Sequence, residues 1–175
     1  MFESLMPFRY PVAKLETYVG LENNVLYSAS YTTTLSSDAL TTQSAINERR
    51  TDAHQRSYQT LEFLGDAVLK SVIARLLYDH NNYQTERELH DGITSYIGNR
   101  TKLCQIGRES MNLEQFIIRG RGVKEITNDM YADHVEAILG AISLDSPDDL
   151  AVFKVVSRLW NLPQRRQRSS PRGQL

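Results

Sequence analysis

The chain lacks most of what oxidised, exported or membrane-spanning proteins depend on. One cysteine, Cys104, in 175 residues excludes an internal disulfide framework. No apolar run approaches the roughly 20 residues a membrane-crossing helix needs, so no membrane partner is expected. Residues 1–11 have neither the basic start and apolar run of a secretion signal nor the Arg and Ser richness of a transit peptide. These absences together imply an intracellular, cytoplasmic setting. A charge excess is missing as well: 20 Lys and Arg against 21 Asp and Glu leave a formal net charge of −1, so overall charge does not announce a polyanionic partner. Period-two alternation and internal repeats are also lacking, which argues against a sheet protein or a solenoid. What remains is an ordinary globular composition, 41% hydrophobic and 23% charged, in a chain long enough for one all-α domain.

Two apolar stretches carry acids where a core helix normally has none. In Leu61-Glu62-Phe63-Leu64-Gly65-Asp66-Ala67-Val68-Leu69 the carboxylates stand four apart and share one helical face. In Ala132-Asp133-His134-Val135-Glu136-Ala137-Ile138-Leu139-Gly140-Ala141-Ile142 they stand three apart, again on one face. A carboxylate among packed apolar groups loses several kcal/mol of solvation unless a positive charge compensates it. Only Lys70 and His134 lie close by in these segments, too few bases for four acids. A hard divalent cation, magnesium with manganese as its substitute, suits an all-oxygen donor set. Glu62, Asp66, Asp133 and Glu136 are therefore the candidate metal ligands.

The stretch from Leu61 to Leu69 resembles the signature of the ribonuclease III family. The stretch from Ala132 to Asp145 resembles that family's second acidic motif, Asp-x-x-Glu followed by Ala-x-x-Gly-Ala-Ile and a Leu-Asp end. The Ala39-Leu40-Thr41-Thr42-Gln43-Ser44 segment is similar to the family's opening, with Thr42 in place of its usual His. The resemblance implies a ribonuclease III-type helical endonuclease domain in which these four acids bind metal and act in catalysis. It further implies hydrolysis of double-stranded RNA by a homodimer, leaving 5′-phosphates and short 3′ overhangs. Phe63, after the first Glu, would be the knob that enters a socket on the partner. Gln59 and Thr60 stand where the family usually has Glu and often has Arg, so Gln59 would support the site without adding charge. Only 30 residues follow Asp145, too few for an appended double-stranded RNA-binding domain. RNA would then be held by the catalytic domain, by its basic turn and tail, or by a partner, and Arg119, Arg121 and Lys124 in the basic Gly-rich turn are the candidates.

Local signals set out the rest of the domain, expected over residues 1–162 with a flexible basic tail over 163–175. Helices are expected over residues 12–19, from the caps at residues 36–38 through Ala45, and over about 57–79. Thr85-Glu86-Arg87-Glu88 reads as a capping box opening a helix with a break near Gly92 or Gly98. Asn112 to Ile118 reads as a short helix. Asp129 starts the second acidic helix, which ends near Leu144. Ser146-Pro147-Asp148-Asp149 reads as a helix start, with Leu150, Phe153, Val156, Leu159 and Trp160 as a packed face and Pro163 as its stop.

Each feature has a plainer reading. Asp66 could simply pair with Lys70 one turn on. His134 projects about 100° away from Asp133 on a helix and reads as structural. Cys104 reads as a small buried hydrophobe, Phe63 as core, and the basic turn as a solvated loop. Two other functions compete with the nuclease: a non-cleaving relative that holds or scaffolds RNA, and an all-α nucleotide pyrophosphohydrolase, which also sets acid pairs on helices.

Overall fold

Leu61, Leu69, Val72, Ile73, Leu76 and Leu77 recur at helical spacing, and burying each stabilises the fold by roughly 1.5–3 kcal/mol. They make the central helix, Gln59–His80, one of six α-helices that lie wholly within the described residues of this computed structural model, residues 37–40 being helical as well. The structure describes residues 37–80, 83, 85–98, 100–145 and 150–162. In chain order the helices are α1 (Gln43–Asn47), α2 (Gln59–His80), α3 (Glu86–Ile97), α4 (Arg100–Gln105), α5 (Asn128–Asp145) and α6 (Leu150–Leu159). A π-helical turn, Ile106–Ser110, and a 3-10 turn, Leu113–Gln115, join α4 to the segment before α5. Among the described residues there is no strand, only one isolated bridge between Thr41 and Ile118.

The core forms where α2 lies along α5, with α4 packed on α5, α3 on α2 and α6 against both. Two glycines permit that close approach. A Cβ on Gly65 would fall 1.7 Å from the Glu136 carbonyl oxygen, and one on Gly140 would fall 2.2 Å from the Leu61 carbonyl oxygen. Any larger residue at either position forces the helices apart. Gly65 therefore admits α5 at close range, and Gly140 is its counterpart on α5.

The capping box is present: Glu88 N–H donates to Thr85 Oγ1, and Thr85 N–H donates to Glu88 Oε2, both at 3.2 Å. The break falls at Gly98, the C-cap of α3. At the far end, Asn161 takes φ 54°. The Leu162 N–H reaches the Ser157 carbonyl at 2.8 Å, so a left-handed cap closes α6 before Pro163.

Three expectations are corrected. The helix expected through Ala45 is interrupted: residues 37–40 are helical, Thr41 pairs with Ile118, and Thr42 then caps α1. Thr42 N–H donates to the Ile118 carbonyl at 2.9 Å, and Ile118 N–H to that of Leu40 at 2.8 Å. Those two bonds use backbone groups that a continuous helix would need. The same pairing keeps Asn112–Ile118 from being a helix beyond its 3-10 turn. Beyond α4 the backbone passes into the π turn, which carries Arg108. Finally, Leu150 is exposed, and Val152 and Val155 fill the packed face of α6. The expected helix at residues 12–19, the Ser146–Asp149 start and the tail lie outside the described residues.

Candidate metal centre

The first turns of α2 and the middle of α5 carry the acids. Because Leu61 and Gly65 face α5, Glu62 and Asp66 stand about 100° further round α2, at the margin of the helix crossing. On α5 the Glu136 backbone lies under Gly65, which sets the side chains of Glu136 and Asp133 on the same margin. One carboxylate oxygen each from Glu62, Asp133 and Glu136 lies within 4.8 Å of the others. An oxygen-only set of this spread matches the preference of a hard divalent cation.

The electrostatics of the cluster favour such an ion. Glu136 is buried, 6% exposed. Burial first, and then the charges of Asp66, Asp133 and Glu62, push its carboxyl pKa up to about 7 against the partial relief given by Arg100. Glu62 is raised in the same direction, by burial and then by Asp133, with Arg100 opposing and Asp66 adding. Repulsion between carboxylates is what a cation would remove, so the residues present fit a divalent metal.

Asp66 stands apart from the other three. Its carboxylate takes a hydrogen bond from Lys70 Nζ at 2.6 Å, with its side chain 42% exposed. Its charge is nevertheless felt by both Glu62 and Glu136, which places it at the rim of the cluster. The pairing with Lys70 and the place beside the acids thus coexist.

Asp133 is the most heavily engaged acid. Tyr58 Oη donates to its Oδ2 at 3.3 Å, and Arg100 Nη2 donates to its Oδ1. Burial and the neighbouring Asp133 and Glu62 hold the Tyr58 hydroxyl pKa up to about 12, so it remains a donor. Burial works against the Arg100 charge, but Asp133, Glu136 and Asp129 more than offset it. Arg100 and Tyr58 are the residues that sequence reasoning missed. Counting bases within the two acidic stretches omitted an arginine from the start of another helix. Tyr58 had one available sign, its place one turn before Glu62.

The remaining site expectations divide. His134 is fully buried, stacks edge-on against Tyr58 with ring centroids 4.3 Å apart, and has its pKa lowered to about 3 by burial. Neither ring nitrogen has a hydrogen-bond partner among the described residues, so it is a core residue. Phe63 is 84% exposed, contrary to a core reading. Gln59 is exposed at the start of α2, its carbonyl accepting from Ser57 Oγ at 3.3 Å. The basic turn is fixed, not loose: Arg121 and Gly122 N–H groups donate to the Glu48 carboxylate at 2.7 and 3.3 Å. Arg121 and Lys124 are exposed, whereas Arg119 is half-buried with its Nη1 shielded from solvent.

Comparisons with known proteins bear on the family and the fold. The family model for the ribonuclease III domain matches residues 59–147. Ribonuclease 3 of Syntrophomonas wolfei is 40% identical over 112 residues, 61% of this chain and 46% of the relative. Ribonuclease 3 of Borreliella burgdorferi is 39% identical over 132 residues, 72% of this chain and 46% of the relative. The chain thus spans about half the length of the curated relatives it matches. A solved nuclease domain of ribonuclease III from Campylobacter jejuni superposes with a TM-score of 0.69 at 25% identity, covering 86% of this chain and 96% of that one. That structure is described as showing flexibility in a region involved in dimer formation.

Proposed function

The chain belongs to the ribonuclease III family, and on that premise we propose that it is a magnesium-dependent endoribonuclease that cuts double-stranded RNA as a homodimer. The observation that carries this reading is the convergence of Glu62, Asp133 and Glu136, within 4.8 Å of one another, at the margin of the α2–α5 crossing. These three would hold the ion, manganese substituting for magnesium, with Asp66 joining from the rim. When bound, the ion supplies charge stabilisation for a phosphodiester and lowers the pKa of water. Tyr58 orients the Asp133 carboxylate through its hydroxyl, and α2 and α5 hold the acids rigidly because their backbones touch at Gly65 and Gly140. Gln59 would lend uncharged support at the start of α2.

Phe63 supports the dimer. An aromatic that is 84% exposed, one residue from Glu62, suits a knob placed in a symmetric partner. The products would be 5′-phosphate ends with short 3′ overhangs. Arg121 and Lys124, and Arg119 to a lesser degree because of its shielded guanidinium, would contact the RNA backbone through shape and charge. The family match favours this nuclease over a nucleotide pyrophosphohydrolase.

Long duplex RNA incubated with and without magnesium tests the proposal. Cleavage should require the metal and be lost in Asp66→Asn and Glu136→Gln with the helical content unchanged. Unaltered nicking in both variants would refute the assignment of the site. One observation favours a second reading: Asp66 and Asp133 are each paired with a base of the chain, as a non-cleaving RNA-holding relative would tolerate. RNA binding without turnover in saturating magnesium would establish it.

A further inference from the structure

Arg100 is the first residue of α4, which starts after α3 closes at Gly98. From there its guanidinium reaches across to α5 and divides between two acids one helical turn apart. Its Nη2 donates to Asp133 Oδ1, while its Nε lies 3.4 Å from Asp129 Oδ1 and its Nη2 is 3.4 Å from the Asp129 carbonyl oxygen. Both oxygens of Asp133 are engaged, because Tyr58 donates to the other at 3.3 Å. Tyr58 is neutral and can stay when a cation arrives. A guanidinium cannot share a carboxylate oxygen with a divalent ion without strong like-charge repulsion.

We propose that Arg100 is a resident counter-ion that the divalent cation displaces from Asp133, and that Asp129 receives the displaced guanidinium. The proposal rests on the reading that Glu62, Asp133 and Glu136 hold such an ion. The geometry supports each part of the exchange. Arg100 is about half exposed, so its side chain has room to turn. Asp129 is 79% exposed and already in contact, so the arginine keeps an ionic partner throughout. Without metal, Arg100 offsets part of the repulsion among the clustered acids. With metal, that service is redundant, and its withdrawal subtracts from the metal's affinity. Arg100 is thus a positioning residue that sets how much free cation the site requires.

Calorimetric titration of the full chain with manganese, in the absence of RNA, tests the exchange independently of activity. Arg100→Gln should bind manganese roughly three- to tenfold more tightly, the scale of a partly exposed ion pair, and should melt at a lower temperature in chelator. Arg100→Lys keeps the charge without the planar fork and should fall between the two, which guards against a glutamine variant that folds poorly. Asp129→Asn should weaken binding in the parent chain and have much less effect in the Arg100→Gln background. Equal or weaker binding by Arg100→Gln, with the parent chain binding normally, would overturn the displacement and leave the metal reading intact. An Asp129→Asn effect of the same size in both backgrounds would overturn the role of Asp129. Failure of the parent chain to bind manganese would overturn the metal reading and the exchange together.

Discussion

The same two helices meet in two contrasting ways. Along one line, Leu61 and Gly65 of α2 lie against the backbone of α5 at Glu136 and Gly140, a dry contact with no space for a methyl group. Immediately round the margin, Glu62, Asp133 and Glu136 crowd their charges together, and burial with mutual repulsion holds the carboxyls of Glu62 and Glu136 protonated to higher pH than usual. The first line stabilises the fold, and the second works against it until a cation is present. Close packing is what makes the unfavourable arrangement affordable, a division between scaffold and site that natural enzymes commonly show.

The largest effect should come from breaking the dry line. Gly140→Ala or Gly65→Ala inserts a methyl where backbone atoms stand 2.2 or 1.7 Å away, and should cost about 3 kcal/mol or more by urea unfolding. Metal binding should disappear along with the packing, since the acids are carried by the same turns.

Next comes the charged margin. Glu136→Gln should abolish RNA cleavage, yet at pH 8 without metal it should raise stability by about 1–2 kcal/mol, because it removes a buried charge that its neighbours oppose. A metal-free variant less stable than its parent would show that the margin is not strained.

The pH dependence follows from the same shift, with its sign set by which state holds the proton. Glu136 has an ordinary value of 4.5 and a folded value of about 7. Below pH 4.5 both states are protonated. Between 4.5 and 7 the unfolded chain ionises while the folded chain keeps its proton, so the stabilising contribution is lost as pH rises. Metal-free stability should fall across that window by up to about 3 kcal/mol and level off above it. Saturating magnesium should reverse the trend, because the ligands bind as carboxylates. Chemical unfolding at several pH values, with chelator and with magnesium, measures both slopes.

The smallest effect should come from the exposed rim. Lys70→Ala removes a pair four residues apart on α2 and should change stability by less than about 0.5 kcal/mol. A larger loss would mean that Asp66 is held inside the strained cluster and not at its edge.

What could be read from the sequence follows the same division. The extents of α2 and α5, the capping box at Thr85 and the break at Gly98 depend on neighbours within a turn or two, so local patterns announce them. The acids were legible for a related reason: a carboxylate inside an apolar period is conspicuous. Contacts between distant segments leave no periodic trace. Nothing near Thr41 signals that its backbone will pair with Ile118, so the helix expected through Ala45 was carried too far. Arg100 was equally hidden. Its charge could be seen, but its reach to Asp133 depends on how α4 docks on α5. The exposure of Leu150 likewise depends on which neighbours α6 meets.

Anomalous scattering from crystals soaked in manganese tests the central claim most directly. The account predicts a peak within bonding distance of oxygens from Glu62, Asp133 and Glu136, flanking the crossing at Gly65 and Gly140. Saturated crystals with no peak there, or with manganese bound only elsewhere on the surface, would contradict it.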